Sequence, residues 1–312
     1  MTATKKQQGF TIIELMVALA VGLVTIISVI KIYTDGSRLY RFNEGLAEVQ
    51  ENGRFALEFI RRDARNAGFW GCTNQSRLNQ EAAISINFAN AHVGSEISGI
   101  MPSVMADTDI VTFRGASGVG IPLSIAMTSP EDPLNLSKPA NFEVGDYLVI
   151  SDCLSRDIFT SAGSGKTITH RDVLSKNYGK DSAVYQAKQT TYWVGVNESN
   201  EPALFRRINN GNNEEIVNGV EAMLILFGED TDADSMGNNG DGTANRYVPS
   251  STKELYMSRV VSLHIQLLVR SSHENLNTDI VPYIYNEITH TPVDKRLRKV
   301  FSSTITLRNN IE

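Results

Sequence analysis

The first regular pattern in the chain is an apolar run from Phe10 to Ile30, 21 residues in which Glu14 is the only charge. As a helix that run is ~31 Å long, enough to cross the hydrocarbon core of a bilayer. Lys5 and Lys6 precede it with no acid nearby, which predicts an N-terminus in the cytoplasm and the rest of the chain outside. Helical spacing continues beyond the run. Leu39, Phe42, Leu46, Val49, Gly53, Ala56, Ile60 and Ala67 recur at intervals of three, four or seven and form one stripe, with Arg38, Arg41, Glu48, Glu51, Arg62 and Arg65 largely on other faces. The pattern predicts one helix from about residue 10 to 67, ending at Gly68 as a C-cap. Gly22, Gly36, Gly45 and Gly53 each cost the helix about 1 kcal/mol relative to Ala. Either bending or close helix packing would account for them, and the pattern does not choose.

After Cys72 the period changes to short strands. Thr108–Arg114, Asp146–Ser151, Thr190–Val196, Leu204–Ile208 and Ala222–Phe227 are strand-like. Val261, Leu263, Ile265, Leu267 and Val269 alternate with Ser262, His264, Gln266, Leu268 and Arg270, a half-buried strand, and Phe301–Leu307 alternates as well. Residues 73–105, 115–142, 154–188 and 271–296 read as loops or irregular insertions. A long helix followed by many strands predicts an α+β protein in which the second half of the helix, residues 31–68, lies on an antiparallel sheet of a head formed by residues 69–312.

Charge and cysteines narrow the chemistry. The net charge of −6 over 312 residues argues against nucleic-acid binding through a basic surface. Two cysteines without a CxxC, Cys72 and Cys153, make a zinc cluster a poor reading; buried thiols or one disulfide are the alternatives. Thr160–Thr167, "TSAGSGKT", has Thr160 where a phosphate loop needs Gly, and a strand rather than a helix is expected after Lys166, so a Gly/Ser turn is the better reading. In Glu229–Gly242, Asp230, Asp232 and Asp234 occupy positions one, three and five of an EF-hand-like register and Asp241 falls at twelve. Hard oxygens in that pattern suit calcium. Ser235 replaces the Gly at six and Asp241 is shorter than the usual Glu, so a solvated acidic turn stands beside the calcium reading. His92, His170, His264, His273 and His290 have no ligand-like partner at i+3 or i+4, and His264 is expected on the outward face of its strand. No catalytic set is suggested by spacing.

Glu14 is the unusual residue. An acidic side chain in a membrane helix costs up to about 2.5–3.5 kcal/mol at the bilayer centre and usually marks a function. A cleaved secretory signal fits poorly, because the run is long and no small-x-small site follows it; a plain single-pass anchor leaves the charge unexplained. If the chain were cut after Gly9, Phe10 would carry a free ammonium, and Glu14, one turn away, would lie at the depth of that cation on a neighbouring subunit.

Lys-x-x-x-Gly followed by Phe-Thr-Ile-Ile-Glu-Leu-Met-Val-Ala resembles the class III signal of type IV prepilins and type II secretion pseudopilins. "NGRFALEFIRRDARNAGFWGC", the Asp-rich loop and the ending "RKVFSSTITLRNN" further resemble the PilW family of minor pilins. The resemblance implies a leader of residues 1–9, cleavage between Gly9 and Phe10 by a prepilin peptidase, and N-methylation of Phe10. Loss of Lys5 and Lys6 would take the net charge from −6 to −8. It implies an assembly helix at residues 10–30, and Glu14 pairing with a neighbour's Phe10 ammonium. It also implies an inner-membrane protein with a periplasmic head that joins other minor pilins and the major pilin to prime assembly at or near the pilus tip, with a PilY-type adhesin as a possible cargo. In the oxidising periplasm a Cys72–Cys153 disulfide is then expected. No cofactor is required, calcium apart, and no enzymatic activity is implied. The alternatives are a J-type pseudopilin of type II secretion and, in another class, a membrane-anchored periplasmic enzyme or binding protein.

Overall fold

The computed structural model describes residues 11–71, 84–88, 108–235 and 239–309. One helix, α1 (Ile12–Asn66), runs through both predicted halves. Thr11 caps its start and Ala67 its end. Gly68 follows at φ 76°, the left-handed turn for which glycine is suited, and its N–H donates to the Arg114 carbonyl at 2.9 Å. The helix therefore stops where the chain is handed to the first long strand of the head.

Two antiparallel sheets build the head. The larger contains β1 (Ile84–Phe88), β2 (Asp109–Pro122), β4 (Tyr147–Asp152), β5 (Ser155–Thr160), β7 (Ala183–Val196), β8 (Pro202–Ile208) and β9 (Glu214–Asn218). Its main path is β1-β2-β7-β4-β5, with β8 and then β9 branching from β7. The smaller runs β11 (Arg246–Val248), β10 (Val220–Glu229), β12 (Val260–Arg270) and β15 (Arg298–Thr306). Two short pairs, β3 (Leu134–Ala140) with β6 (Gly165–Ile168) and β13 (Tyr283–Tyr285) with β14 (Ile288–His290), complete the described strands.

The core of the lower head follows the two periodicities. Val49, Ala56, Ile60 and Ala64 from one helix face meet Leu263, Ile265, Leu267 and Val269 of β12, Ile305 of β15, and Val111, Tyr192 and Leu204 of the larger sheet. The stripe read from the sequence is buried from Val49 onward, with Phe42 and Leu46 half-buried, but Leu39 is exposed because no strand of the head reaches that far down the helix. The alternation in β12 places Leu263, Ile265 and Leu267 inside, as expected.

The loop readings need correction. Residues 73–105 contain β1, residues 115–142 and 154–188 carry much of β2, all of β3, β5 and β6, and the start of β7, and residues 271–296 carry the β13–β14 hairpin. The strands between 121 and 184 surround a second apolar cluster that includes Leu134, Leu136, Leu148, Ile150, Phe159, Ile168 and Tyr178. Two of them are short and interrupted by turns, so neither shows enough alternation to be recognised locally. Their burial comes from each other.

Candidate functional site

The membrane half of α1 has no intramolecular partner. Its most apolar stretch has a mean hydropathy of 2.6 and no residue buried inside the molecule. Ile13, Met16, Leu19, Leu23, Ile27 and Ile30 all face outward. The polar side chains here bond within the helix: Thr25 Oγ1 donates to the Val21 carbonyl at 2.8 Å, and Ser28 Oγ to that of Val24 at 2.8 Å. That leaves the surface suited to lipid or to other apolar helices.

Glu14 lies at the third position of this helix and closes a capping box with Thr11. Its backbone N–H donates to Thr11 Oγ1 at 3.3 Å, and the Thr11 N–H donates to Glu14 Oε2 at 3.3 Å. The Thr-x-x-Glu spacing of residues 11–14 is a local N-terminal signature that the sequence reading passed over in favour of the ion pair. The two side chains thus satisfy two otherwise open donors at the helix start, and the carboxylate is partly neutralised by the helix dipole. Gly9 and Phe10 lie outside the described residues.

The second half of α1 is fastened to the head along its length, and the fastening decides how the exposed half is presented. A Cβ on Gly53 would come within 2.3 Å of the Phe301 ring, and one on Gly45 within 2.3 Å of Leu276 Cδ1. At these two glycines close packing is the reason, whereas Gly22 and Gly36 have nothing within 4 Å. Further along, Asp63 is buried on the helix. Lys188 Nζ donates to its Oδ1 at 2.9 Å and Tyr192 Oη to its Oδ2 at 2.7 Å. Burial and the adjacent Asp63 charge both push the Tyr192 hydroxyl well above the usual tyrosine range, so it stays a donor. Asn309 Nδ2 donates to the Ala67 carbonyl at 2.9 Å, tying the end of the helix to the strand end of the other sheet. No periodicity singled out Asp63, Lys188 or Asn309.

The Asp-rich segment is brought together in part. Oxygens of Asp230, Asp232 and Asp241 lie within 4.8 Å of one another. Asp234 does not join them; its carbonyl accepts from Arg259 Nε at 2.8 Å. Asp230 is buried and already accepts from the backbone N–H groups of Asp232, Ala233 and Gly242, at 3.1, 3.3 and 2.9 Å. A Cβ on Gly240 would strike Asp230 Oδ2, so the chain folds tightly around this carboxylate. Residues 236–238 are outside the description. The loop is therefore organised around Asp230 by its own backbone, with Asp232 and Asp241 exposed beside it; Asp232 Oδ2 accepts from Asn245 Nδ2 at 3.2 Å and Asp241 Oδ1 from the Thr243 N–H at 2.8 Å.

Cys153 lies in the turn joining β4 to β5, and no free cysteine occurs among the described residues. Cys72 lies outside them. Its neighbourhood is nevertheless marked: Trp70 is buried, with the Arg156 guanidinium 4.2 Å from its ring centroid, and Arg156 pairs with Ser151 across the β4–β5 hairpin. The chain two residues before Cys72 is thus held against the hairpin that carries Cys153. In the phosphate-loop-like stretch, Gly165–Ile168 is strand β6 and no helix follows, as expected for a turn. His264 is partly covered, with Nδ1 3.0 Å from Thr304 Oγ1 on β15, and His92 is outside the described residues.

Residues 191–309 match the family model described as Type IV Pilus-assembly protein W, PilW. Together with the N-terminal signature, that match supports a PilW-family type IV minor pilin. Residues 4–30 match the prokaryotic N-terminal methylation motif, which spans the apolar run and Glu14. The PilW match begins within β7 and contains the whole smaller sheet against which α1 packs, so the family's share of this chain includes the platform for the helix. The second apolar cluster, 121–184, falls outside both matched spans. No curated protein and no solved structure matches the chain. This is a type IV pilus-associated pilin with a long N-terminal helix and an α+β head.

Proposed function

We propose that this chain is a structural minor pilin that primes type IV pilus assembly and is not a catalyst. A prepilin peptidase cleaves between Gly9 and Phe10 and methylates the new amine. The mature chain, residues 10–312, waits in the inner membrane through its 10–30 segment with its head in the periplasm. It then joins other minor pilins and the major pilin at or near the tip, where a PilY-type adhesin is a fitting partner. The observation that carries this reading is the unburied apolar half of α1 continuous with a half locked to the head. A helix left bare by its own fold requires lipid first and other helices afterwards.

Glu14 supports both stages. Alone in the membrane, its carboxylate is held by the Thr11 N–H and hydroxyl. In a filament it turns to the Phe10 ammonium of a neighbouring subunit, where a full opposite charge replaces the uncharged donors of the cap. Cys72 and Cys153 form a disulfide that fastens the helix exit to the β4–β5 hairpin. Asp230, Asp232 and Asp241 form a weak calcium site, with Asp230 preorganised by backbone donors.

Mass spectrometry of the purified protein tests the reading: N-methyl-Phe10 is expected at the mature N-terminus, and an intact Met1 would sink it. Deletion should abolish pili and twitching while leaving exoprotein secretion unchanged; the converse would assign the chain to type II secretion. Glu14→Ala should be processed normally and yet fail to enter pili.

A further inference from the structure

At the C-terminal end of α1, where the helix meets the end of the smaller sheet, lies a cleft of 320 Å3 lined by Arg61, Arg62, Arg65, Arg308 and Phe69. Arg61 is paired with Glu58, the only acid lining it among the described residues. Arg62, Arg65 and Arg308 have no carboxylate partner among the described residues. Arg62 lies 5.8 Å from the Phe59 ring centroid, a contact that leaves the guanidinium edge available. Arg65 sits in the last turn of the helix, where a cation complements the dipole without needing any ligand. That explanation does not reach Arg308, which arrives from the segment after β15. Asn309, next to it, donates to the carbonyls of Arg65 and Ala67 at 3.4 and 2.9 Å and so fixes Arg308 beside the helix end. Two separate elements thus bring to one cleft three guanidinium groups that have no carboxylate partner among the described residues, on a protein of net charge −6.

We infer that this cleft receives a short acidic peptide segment of another subunit, whose carboxylates are taken by Arg62, Arg65 and Arg308. Guanidinium forks match carboxylates in bidentate fashion, and the Phe69 ring in the lining offers apolar surface to the stems between them. A lipid headgroup is out of reach, because Arg62 is about 48 Å along the helix from Ile30. A long polyanion would extend beyond the cleft over a protein of net charge −6; a segment of a few residues would not. The inference rests on the proposed function only for orientation: with the N-terminal half in the membrane, this end points toward the subunit placed above.

The test uses the full-length protein in detergent and a fluorescein-labelled hexaglutamate peptide, read by fluorescence anisotropy at low and physiological salt. Saturable binding is expected, weakened by salt. The triple variant Arg62→Gln/Arg65→Gln/Arg308→Gln should weaken it roughly tenfold or more, the joint effect of three exposed ion pairs near the upper end of their usual strength. The charge-matched control Lys166→Gln/Lys180→Gln/Lys253→Gln should bind as the parent does. Arg308→Lys, which keeps the charge and removes the fork, should fall between and guards against a triple variant that folds poorly. Equal losses in the two triple variants, or no loss in either, would overturn the inference. So would tighter binding of a twelve-residue oligothymidine than of hexaglutamate at the same salt. Processing at Gly9 is scored separately, so a failure of this titration leaves the pilin reading untouched.

Discussion

Gly53→Ala pits helix propensity against packing. In an isolated helix the change stabilises by about 1 kcal/mol. Here the new methyl would lie 2.3, 2.4 and 2.6 Å from Phe301 Cδ2, Cε2 and Cγ. Ordinary contact is about 3.5–4 Å, so the whole ring, not its tip, must retreat by more than an ångström. Phe301 is half-buried on β15, in register with Leu267 of β12, and its Cα is fixed by that ladder. Overpacking of this kind costs about 1–3 kcal/mol. The net expectation is a loss of up to about 2 kcal/mol, or several degrees of melting temperature for a head of this size. Phe301→Ala removes the obstacle, and Gly53→Ala made in that background should stabilise by the full propensity gain. Urea unfolding of the four proteins, followed by far-ultraviolet circular dichroism in detergent, gives the coupling energy directly, expected at about 1–3 kcal/mol. Additivity within about 0.5 kcal/mol would refute the packing role of Gly53 and return it to helix bending. Gly45→Ala is a milder case, since the nearest obstacle is the Cδ1 end of Leu276.

Asp63→Asn should cost about 1–3 kcal/mol of unfolding free energy measured in urea, because Lys188 and Tyr192 lose a charged acceptor in a buried position. Acid titration should separate two carboxylates of opposite sign. The Arg298 guanidinium holds Asp294 at about 2, below its ordinary 3.8, so its contribution is present above about pH 4 and fades toward pH 2; Asp294→Asn should flatten that limb. Burial pushes Asp109 up to about 6, against the lowering effect of the Ile225 N–H, so stability falls as pH rises from about 4 through 6, and Asp109→Asn should remove that fall. Reduction with dithiothreitol should lower the melting temperature, since the proposed bridge closes a loop of about 82 residues and the chain-entropy model credits it with up to ~4.5 kcal/mol. Millimolar calcium should raise the melting temperature of the parent and not of Asp232→Asn/Asp241→Asn; an equal response would dismiss the site.

Local rules determined most of the N-terminal architecture. The apolar run, its helical continuation to Gly68 and the alternation in β12 and β15 each follow from the spacing of neighbouring residues, and each stands in the fold as expected. Thr11 and Glu14 were equally legible, since a capping box is a four-residue pattern. The tertiary structure decided what depends on residues far apart. β3 and β6 are short, and they are strands because they bury Leu134, Leu136 and Ile168 against one another and against β4. Gly45 and Gly53 differ from Gly22 and Gly36 only in what stands opposite them, which no helical spacing encodes. Asp63 looks like any charged residue near a helix end until Lys188 and Tyr192, some 125 residues away, arrive beside it. The arginine cleft has the same origin: Arg65 and Arg308 lie at opposite ends of the chain, and only the docking of β15 on α1 places their charges together.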